Sequence, residues 1–515
     1  MRPLAVAVPG DADDVSALVH WAHDTCTPLV PRGSGSSMAG GAVGRGVIID
    51  LSRLRHFGVV DERARSLRVG PGVLRAEVDR LARSHGLRFP VDPSSGAFCT
   101  VGGMASTNAA GSHSLRFGPM RSWVRALDCV FDDGTRAEIR RSDVLPANVP
   151  ALARFLREGA PALASEASAP AVHAGVRKEA SGYATAAYGR GGDLVDLLVG
   201  SEGTLALFVG LELALAPEAE ATSSVLGAFP VLDDAVDAAV RARDAGATAC
   251  ELLDRTFLEV ARSGGRVLPV PEETEAVLLA EVENEDGVSA ADRAHALERL
   301  FRANGAAVRV ALDAATEAEL WELRHAASPI LAHLDPSLKS MQFIEDAAVP
   351  PARLADYVRG VRVILARHGL RGVIFGHAGD AHVHVNPLID VRQSDWRDRM
   401  ERVLDEVTAL VATLGGTLSG EHGDGRLRTP LLPRVWSAAA RAQFSLVKDC
   451  FDPRRILNPG VKVPLRHERA IESVKYDPAL QPPPESAREA LATVERERAY
   501  ARFRLDLLAA AARSG

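Results

Sequence analysis

Hydrophobic and polar positions change rhythm near residue 220. Before it, apolar residues come in short bursts separated by glycine-rich stretches. Val15, Leu18, Val19 and Ala22 recur at helical spacing, as do Val78, Leu81 and Ala82 ahead of Gly86, a helix-ending residue. VIID at 47–50 reads as a strand. The most apolar window, LLVGSEGTLALFVGLELALA at 197–216, is broken by glycines and carries Glu202 and Glu212. It predicts buried strands rather than a membrane span.

From about Thr222 the pattern alternates between strand and helix. SVLGAFP predicts a strand, DAVDAAVRARDAG a helix, ACELLD and AVLLAEVE two strands, AADRAHALERLFRANG a helix and AAVRVAL a strand. That is βαββαβ, the ferredoxin-like order. The order recurs: QFIEDAAV as a strand, PARLADYVRGVRVILARHG as a helix, GVIFGH and HVHVNPLI as a hairpin, WRDRMERVLDEVTALVATLGG as a helix and GTLSG as a closing strand. Two fused units predict one antiparallel sheet with helices on one face. Residues 263–275, with Gly264 and Gly265, read as a flexible excursion. The tail, 466–515, opens with a linker containing QPPPES and continues as a helix whose apolar stripe would pack on the body.

Length and composition narrow the classes. At 515 residues the chain holds two or three domains. A net charge of -7 without a basic run argues against nucleic-acid binding. Cys26, Cys99, Cys129, Cys250 and Cys450 lie far apart with no CxxC pair, which argues against a disulfide scaffold or iron–sulfur ligation and fits a reducing compartment. The N-terminus lacks the basic start and long apolar run of a signal peptide, so the expected setting is cytoplasmic, with peripheral membrane contact left open.

PRGSGSSMAGGAVGRGVIID at 31–50 is suited to wrapping phosphate, since small residues let amide groups approach closely and Arg32 adds charge. A dinucleotide fingerprint would need glycine where Met38 stands and a helix afterwards, and a Walker loop would need Gly-Lys-Ser/Thr; neither is present. Further small-residue loops follow at 92–96 (DPSSG), 102–111 (GGMASTNAAG) and 200–204 (GSEGT). Four such loops suggest a large ligand lying extended against backbone.

FGHAGDAHVHVNP at 375–387 holds His377, His382 and His384. His382 and His384 share one face of a strand because side chains alternate. Two imidazoles across a hairpin can share a divalent cation, given a third ligand. Glu421 in GEHGDG is a candidate, with His422 beside it pointing elsewhere. On the residues alone, buried structural histidines remain the alternative.

Residues 29–216 resemble the FAD-binding domain of the vanillyl-alcohol oxidase superfamily, also named after p-cresol methylhydroxylase (PCMH). The resemblance rests on PRGSGSSMAGGAV, VDPSS, TVGGMASTNAAGSHSLRFG and LLVGSEGTL. It implies FAD with its pyrophosphate over Arg32, Gly33, Ser34, Gly35, Ser36 and Ser37, and further contacts from Pro93 and Ser94. The flavin ring would lie near Gly102, Gly103, Ser106, Asn108 and Gly111, with Glu202 and Gly203 supporting the nucleotide. No histidine occurs at 31–46, so the flavin is expected to be noncovalent, and Met104 stands where close relatives often carry Asn.

GHAGDAHVHVN at 376–386 is similar to the motif GHxGDGNxHxN of D-2-hydroxyacid dehydrogenases in this superfamily, and SGEHGDG at 419–425 matches their next motif. The resemblance implies a divalent metal, zinc, at His377, His384 and Glu421, with His422 as base. Ala381 and His382 depart from the motif. Arg324 in WELRHAASPI would take the substrate carboxylate, with Lys339 a weaker candidate for a second one. Asn458 in FDPRRILNPGVKVP would return to touch the flavin. QFIEDAAVPPARL resembles family versions with an added iron–sulfur domain, for which the cysteines are missing.

The expected fold is therefore α+β: a PCMH-type FAD-binding domain at 1–217 and a ferredoxin-like cap with an antiparallel sheet at 218–425. A segment at 426–465 returns to the FAD domain, and a linker with a helical tail follows at 466–515. The implied reaction is oxidation of a D-2-hydroxyacid to the 2-oxoacid, with hydride passing to flavin and electrons on to quinone, an electron-transferring flavoprotein or an iron–sulfur protein. A flavin oxidase using oxygen, an FAD-binding subunit of a larger glycolate oxidase-type complex, and a homodimer are the alternatives left open.

Overall fold

The computed structural model describes residues 1–164, 173–263, 268–325, 338–474 and 481–497, with positions 499, 502 and 506 beyond them. Among the described residues its first lobe holds two small sheets and a two-stranded pairing of Leu87–Arg88 with Ala216–Pro217. Ala5–Ala7, Val47–Asp50 and Leu29–Arg32 run parallel, with Val47–Asp50 in the middle. Helix Ala12–Thr25 packs beside them through Val15, Val19 and Ala22, the stripe its spacing predicts. Asp11 caps its start by accepting from the Asp14 amide at 2.9 Å, and Cys26 ends it in the left-handed region.

The second sheet is antiparallel, in the order Ser66–Val69, Leu207–Ala214, Val124–Val130, Arg136–Arg140. The apolar window folds into it as helix Leu194–Leu198, a glycine loop and strand Leu207–Ala214. No described helix is long and apolar enough to cross a membrane.

The second lobe is built on a seven-stranded antiparallel sheet. Its order is Ala307–Ala311, Thr222–Phe229, Ala276–Glu283, Ala249–Asp254, Arg371–His377, His382–Asp390, Leu338–Ser340. The first four strands have the ferredoxin-like arrangement. Leu252, Leu278, Ile374, Val383 and Val385 form one core with helices Leu232–Asp244, Ala290–Ala303, Leu354–Arg367 and Trp396–Thr413. The opposite face carries Leu253, Val277 and Leu279 against two further helices, Arg255–Ser263 and Ala314–His325, so helices cover parts of both faces rather than one.

The second βαββαβ unit differs from its sequence pattern. QFIEDAAV is not a strand; Ala348 alone bridges to His382 and Thr417, and the seventh strand is Leu338–Ser340. GTLSG likewise contributes only the Thr417 bridge. The reason is electrostatic. Glu345 and Asp346 are buried and bond to Arg428, Ser419 and the His422 amide, which draws this chain out of the ladder. Residues 264–267 of the expected excursion, and most of the tail beyond helix Glu485–Glu497, lie outside the described residues.

Candidate functional site

The four small-residue segments converge on a cleft of about 740 Å³ between the lobes, although the third, read as a loop, folds largely as helix Val101–Thr107. Arg32 through Ser37 line it from the first loop, Pro93 and Ser94 from the second, Gly102, Gly103, Ser106 and Gly111 from the third, Glu202 and Gly203 from the fourth. The glycines are required by space. A Cβ at Gly33 would collide with Thr100 Oγ1, and one at Gly41 would lie 2.8 Å from Glu202. Gly35 has φ +75°, and the Arg32 guanidinium folds over it while donating to the Ala42 carbonyl at 3.2 Å. Ser37 Oγ is buried without a hydrogen-bond partner among the described residues, as a loop built for a polar ligand would leave it. Close backbone, small side chains and a cation suit the phosphates of FAD.

Two residues expected at the cofactor do not line the cleft. Asn108 closes helix Val101–Thr107 in the left-handed region; its Oδ1 accepts from the Arg121 amide and its Nδ2 donates to the Glu179 carbonyl. Asn458 accepts from Arg426 and donates to the Gly41 and Glu202 carbonyls. Both side chains are consumed in bracing loops. Glu202, also buried, accepts from the Asp424 and Gly425 amides and pairs with Lys462 at 3.0 Å, tying the fourth loop to the chain's return. Ser340, not its neighbour Lys339, lines the cleft.

At the cap end, hairpin and loop bring the imidazoles to one carboxylate. Glu421 Oε1 lies 3.2 Å from His377 Nε2, 3.5 Å from His384 Nε2 and 3.7 Å from His422 Nε2. The far nitrogens are occupied: His377 Nδ1 faces Glu251 at 2.5 Å, and His384 Nδ1 donates to the Glu345 carbonyl at 3.0 Å. For His384 this leaves Nε2 as a free lone pair, the arrangement of a metal-ligating histidine. His377 differs, because against burial Glu251 and Glu421 raise its pKa to about 9 and its Nε2 also bonds to Glu421. His377 and His384 fall into different clusters of metal-competent groups, His377–His382–Glu421 and Asp346–His384–Glu421–His422, joined by Glu421. His382 turns its Nε2 to Asp346 at 2.9 Å, and its buried Nδ1 has no hydrogen-bond partner among the described residues.

The charges explain the arrangement. Burial opposes ionisation of Glu421, but Lys178 and His377 outweigh it and hold the carboxyl well below its usual range. Burial, then the neighbouring His382 and His422, press His384 well below the ordinary imidazole value. A neutral His384 whose Nδ1 already donates presents only a lone pair to the Glu421 oxygen. Two acceptors at that distance repel, and a divalent cation between them is the natural remedy. Burial also disfavours charge on His422, yet Asp346 and Glu345, 3.3 and 3.4 Å from its Nδ1, raise its pKa. Arg324 lines the cleft beside Phe375, and its Nε donates to Glu251 at 2.6 Å.

Several functional groups escaped the sequence reading. Glu251, Glu345 and Asp346 did carry a signal, since acids inside the apolar runs ACELLD and QFIEDAAV must be paired when buried. Arg428 and Lys178 carried none; each is buried, on Glu345 and Glu421 respectively.

Glycine loops over a cleft, backed by a ferredoxin-like cap, define a PCMH-type flavoprotein oxidoreductase. Family models agree: "FAD binding domain" matches residues 3–140 and "FAD linked oxidases, C-terminal domain" matches residues 218–461. The chain is 30% identical over 466 residues to the glycolate oxidase subunit GlcD of Bacillus subtilis (strain 168), covering 89% of this chain and 88% of that one. It is 30% identical over 461 residues to the D-lactate dehydrogenase of Archaeoglobus fulgidus, covering 88% and 90%. The 4-ethylphenol oxidase of Gulosibacter chungangensis has the same fold, with a TM-score of 0.65 at 17% identity over 90% of each chain. The chain belongs to the FAD-linked oxidase family.

Proposed function

We propose that this protein oxidises a D-2-hydroxyacid to the 2-oxoacid, using noncovalent FAD and a divalent metal, zinc, held by His377, His384 and Glu421. The observation that carries the reading is one oxygen of Glu421, Oε1, facing the Nε2 atoms of two imidazoles inside the cleft. The names of the two relatives, one for glycolate and one for D-lactate, support the substrate class. Electrons are taken to leave for an acceptor other than oxygen, in the cytoplasm.

Bound FAD would supply hydride acceptance, and a bound metal would lower the pKa of the substrate hydroxyl. The protein does the rest. His422, beside Glu421 and 22% exposed at its side chain, takes the hydroxyl proton, worth roughly 10²–10⁴-fold in rate. Asp346 and Glu345, 3.3 and 3.4 Å from its Nδ1, stabilise the imidazolium that forms. Arg324 receives the substrate carboxylate with its planar guanidinium, which Glu251 fixes through Nε. The lobes are tied together by Arg88 of the first, which donates twice to Glu283 of the second, each at 2.7 Å.

Anaerobic bleaching of the flavin with a panel of D- and L-2-hydroxyacids, with and without chelator, tests the reading. D-acids are expected to bleach it and chelator to prevent this. Bleaching by no hydroxyacid, or bleaching unaffected by metal removal, would sink it.

A further inference from the structure

Residues 173–184 run as a strap along the loop that presents Glu421 and His422. Glu179 Oε1 accepts from Thr417 Oγ1 at 2.5 Å, the Ala180 amide donates to the Ser419 carbonyl at 2.9 Å, and the Gly182 amide donates to Asp424 Oδ2 at 2.7 Å. These contacts set the loop's backbone. Lys178 does something different. Its ammonium, on a side chain 2% exposed, donates to Glu421 Oε2 at 3.0 Å and to the Gly111 carbonyl of the flavin loop at 3.5 Å.

An ammonium is buried this deeply only against a charge it neutralises. Here it divides one carboxylate into two unequal oxygens. Oε2 is taken by Lys178, and Oε1 alone faces the three imidazoles. We propose that Lys178 is a positioning residue that holds Glu421 to metal ligation through the single oxygen Oε1, leaving coordination positions open for a chelating substrate. The inference rests on the metal reading above. Two imidazoles and one carboxylate oxygen make three protein ligands, the number that leaves a zinc site open. A substrate binding through both hydroxyl and carboxylate needs two positions. A carboxylate free to bind through both oxygens would occupy one of them.

The test uses the FAD-loaded, zinc-loaded protein and its Lys178→Met and Lys178→Arg variants. Zinc X-ray absorption reads the coordination number, and oxalate serves as a chelating probe. Lys178→Met is expected to keep its zinc and gain one oxygen ligand. It should bind oxalate roughly 10–100-fold more weakly, the usual scale for loss of an outer-shell partner. Lys178→Arg, which keeps a cationic donor for Oε2, should restore the parent spectrum and oxalate affinity. It carries the test alone if the methionine variant fails to retain FAD.

A methionine variant with the parent's spectrum and oxalate affinity would overturn the proposal, as would an arginine variant with the extra ligand. Loss of zinc with FAD retained would also overturn it, making Lys178 a plain requirement for binding. A parent protein that takes up no zinc would instead bring down the metal reading, and this inference with it.

Discussion

Glu251 and His377 are register partners on adjacent antiparallel strands, and the pairing places Glu251 Oε1 2.5 Å from His377 Nδ1. The same carboxylate receives Arg324 Nε on its other oxygen at 2.6 Å. One buried acid thus orients both a candidate metal ligand and the candidate substrate arginine. Glu251→Gln is expected to weaken metal binding and raise KM together, by roughly 10–100-fold. Zinc affinity by chelator competition, beside steady-state kinetics, checks it; a change in only one quantity would separate the two roles.

His422 touches the cleft while its far nitrogen lies 3.3 Å from Asp346 and 3.4 Å from Glu345. His422→Asn should keep FAD and metal and slow flavin reduction by roughly 10²–10⁴-fold. Stopped-flow reduction under anaerobic conditions reads this directly, and an unchanged rate would remove His422 from the proton transfer.

The first loop has no room for a side chain at Gly33, where a Cβ meets Thr100 Oγ1. Gly33→Val is expected to yield a folded protein depleted of FAD, seen as loss of flavin absorbance with the circular dichroism spectrum kept. Full flavin content in that variant would move the cofactor away from this loop.

His113 links the lobes, with Nδ1 2.6 Å from Asp92 and Nε2 2.9 Å from Glu281, and its ring stacked on Trp321. Burial opposes its charge, but Asp92 and Glu281 raise its pKa well above the ordinary value; burial opposes ionisation of Asp92 too, and His113 lowers its pKa. A raised imidazole contributes stability fully below its unfolded pKa of about 6.5 and loses it as pH climbs through the folded value. A depressed carboxyl contributes fully above about 3.9 and loses it as pH falls through the folded value. The difference in Tm between the parent and His113→Gln should therefore be widest between about pH 4 and 6.5 and close on the alkaline side. A difference that grows with alkaline pH would contradict the pairing.

Much of the site was legible because its chemistry is local. Glycines where no Cβ fits, an alternation that puts His382 and His384 on one face, and an acid beside a histidine in GEHGDG are visible within a few residues. What the sequence did not show depended on distant partners. Asn108 and Asn458 have the right chemistry for a ligand, and their side chains bond to Arg121, Glu179, Arg426 and Gly41. QFIEDAAV has the hydrophobicity of a strand, but Arg428 and Ser419 claim its two acids.

The sequence by itself determined the class of cofactor loop, the strand order of the cap's first ferredoxin-like unit and the identity of the imidazoles, because backbone freedom and side-chain periodicity are properties of neighbours. Only the tertiary structure decided which charges meet. Lys178 finds Glu421 across 243 positions and Glu251 finds His377 across 126. A buried charge is tolerated only beside its counter-charge, and that partner is chosen by the packing of two lobes rather than by the residues on either side.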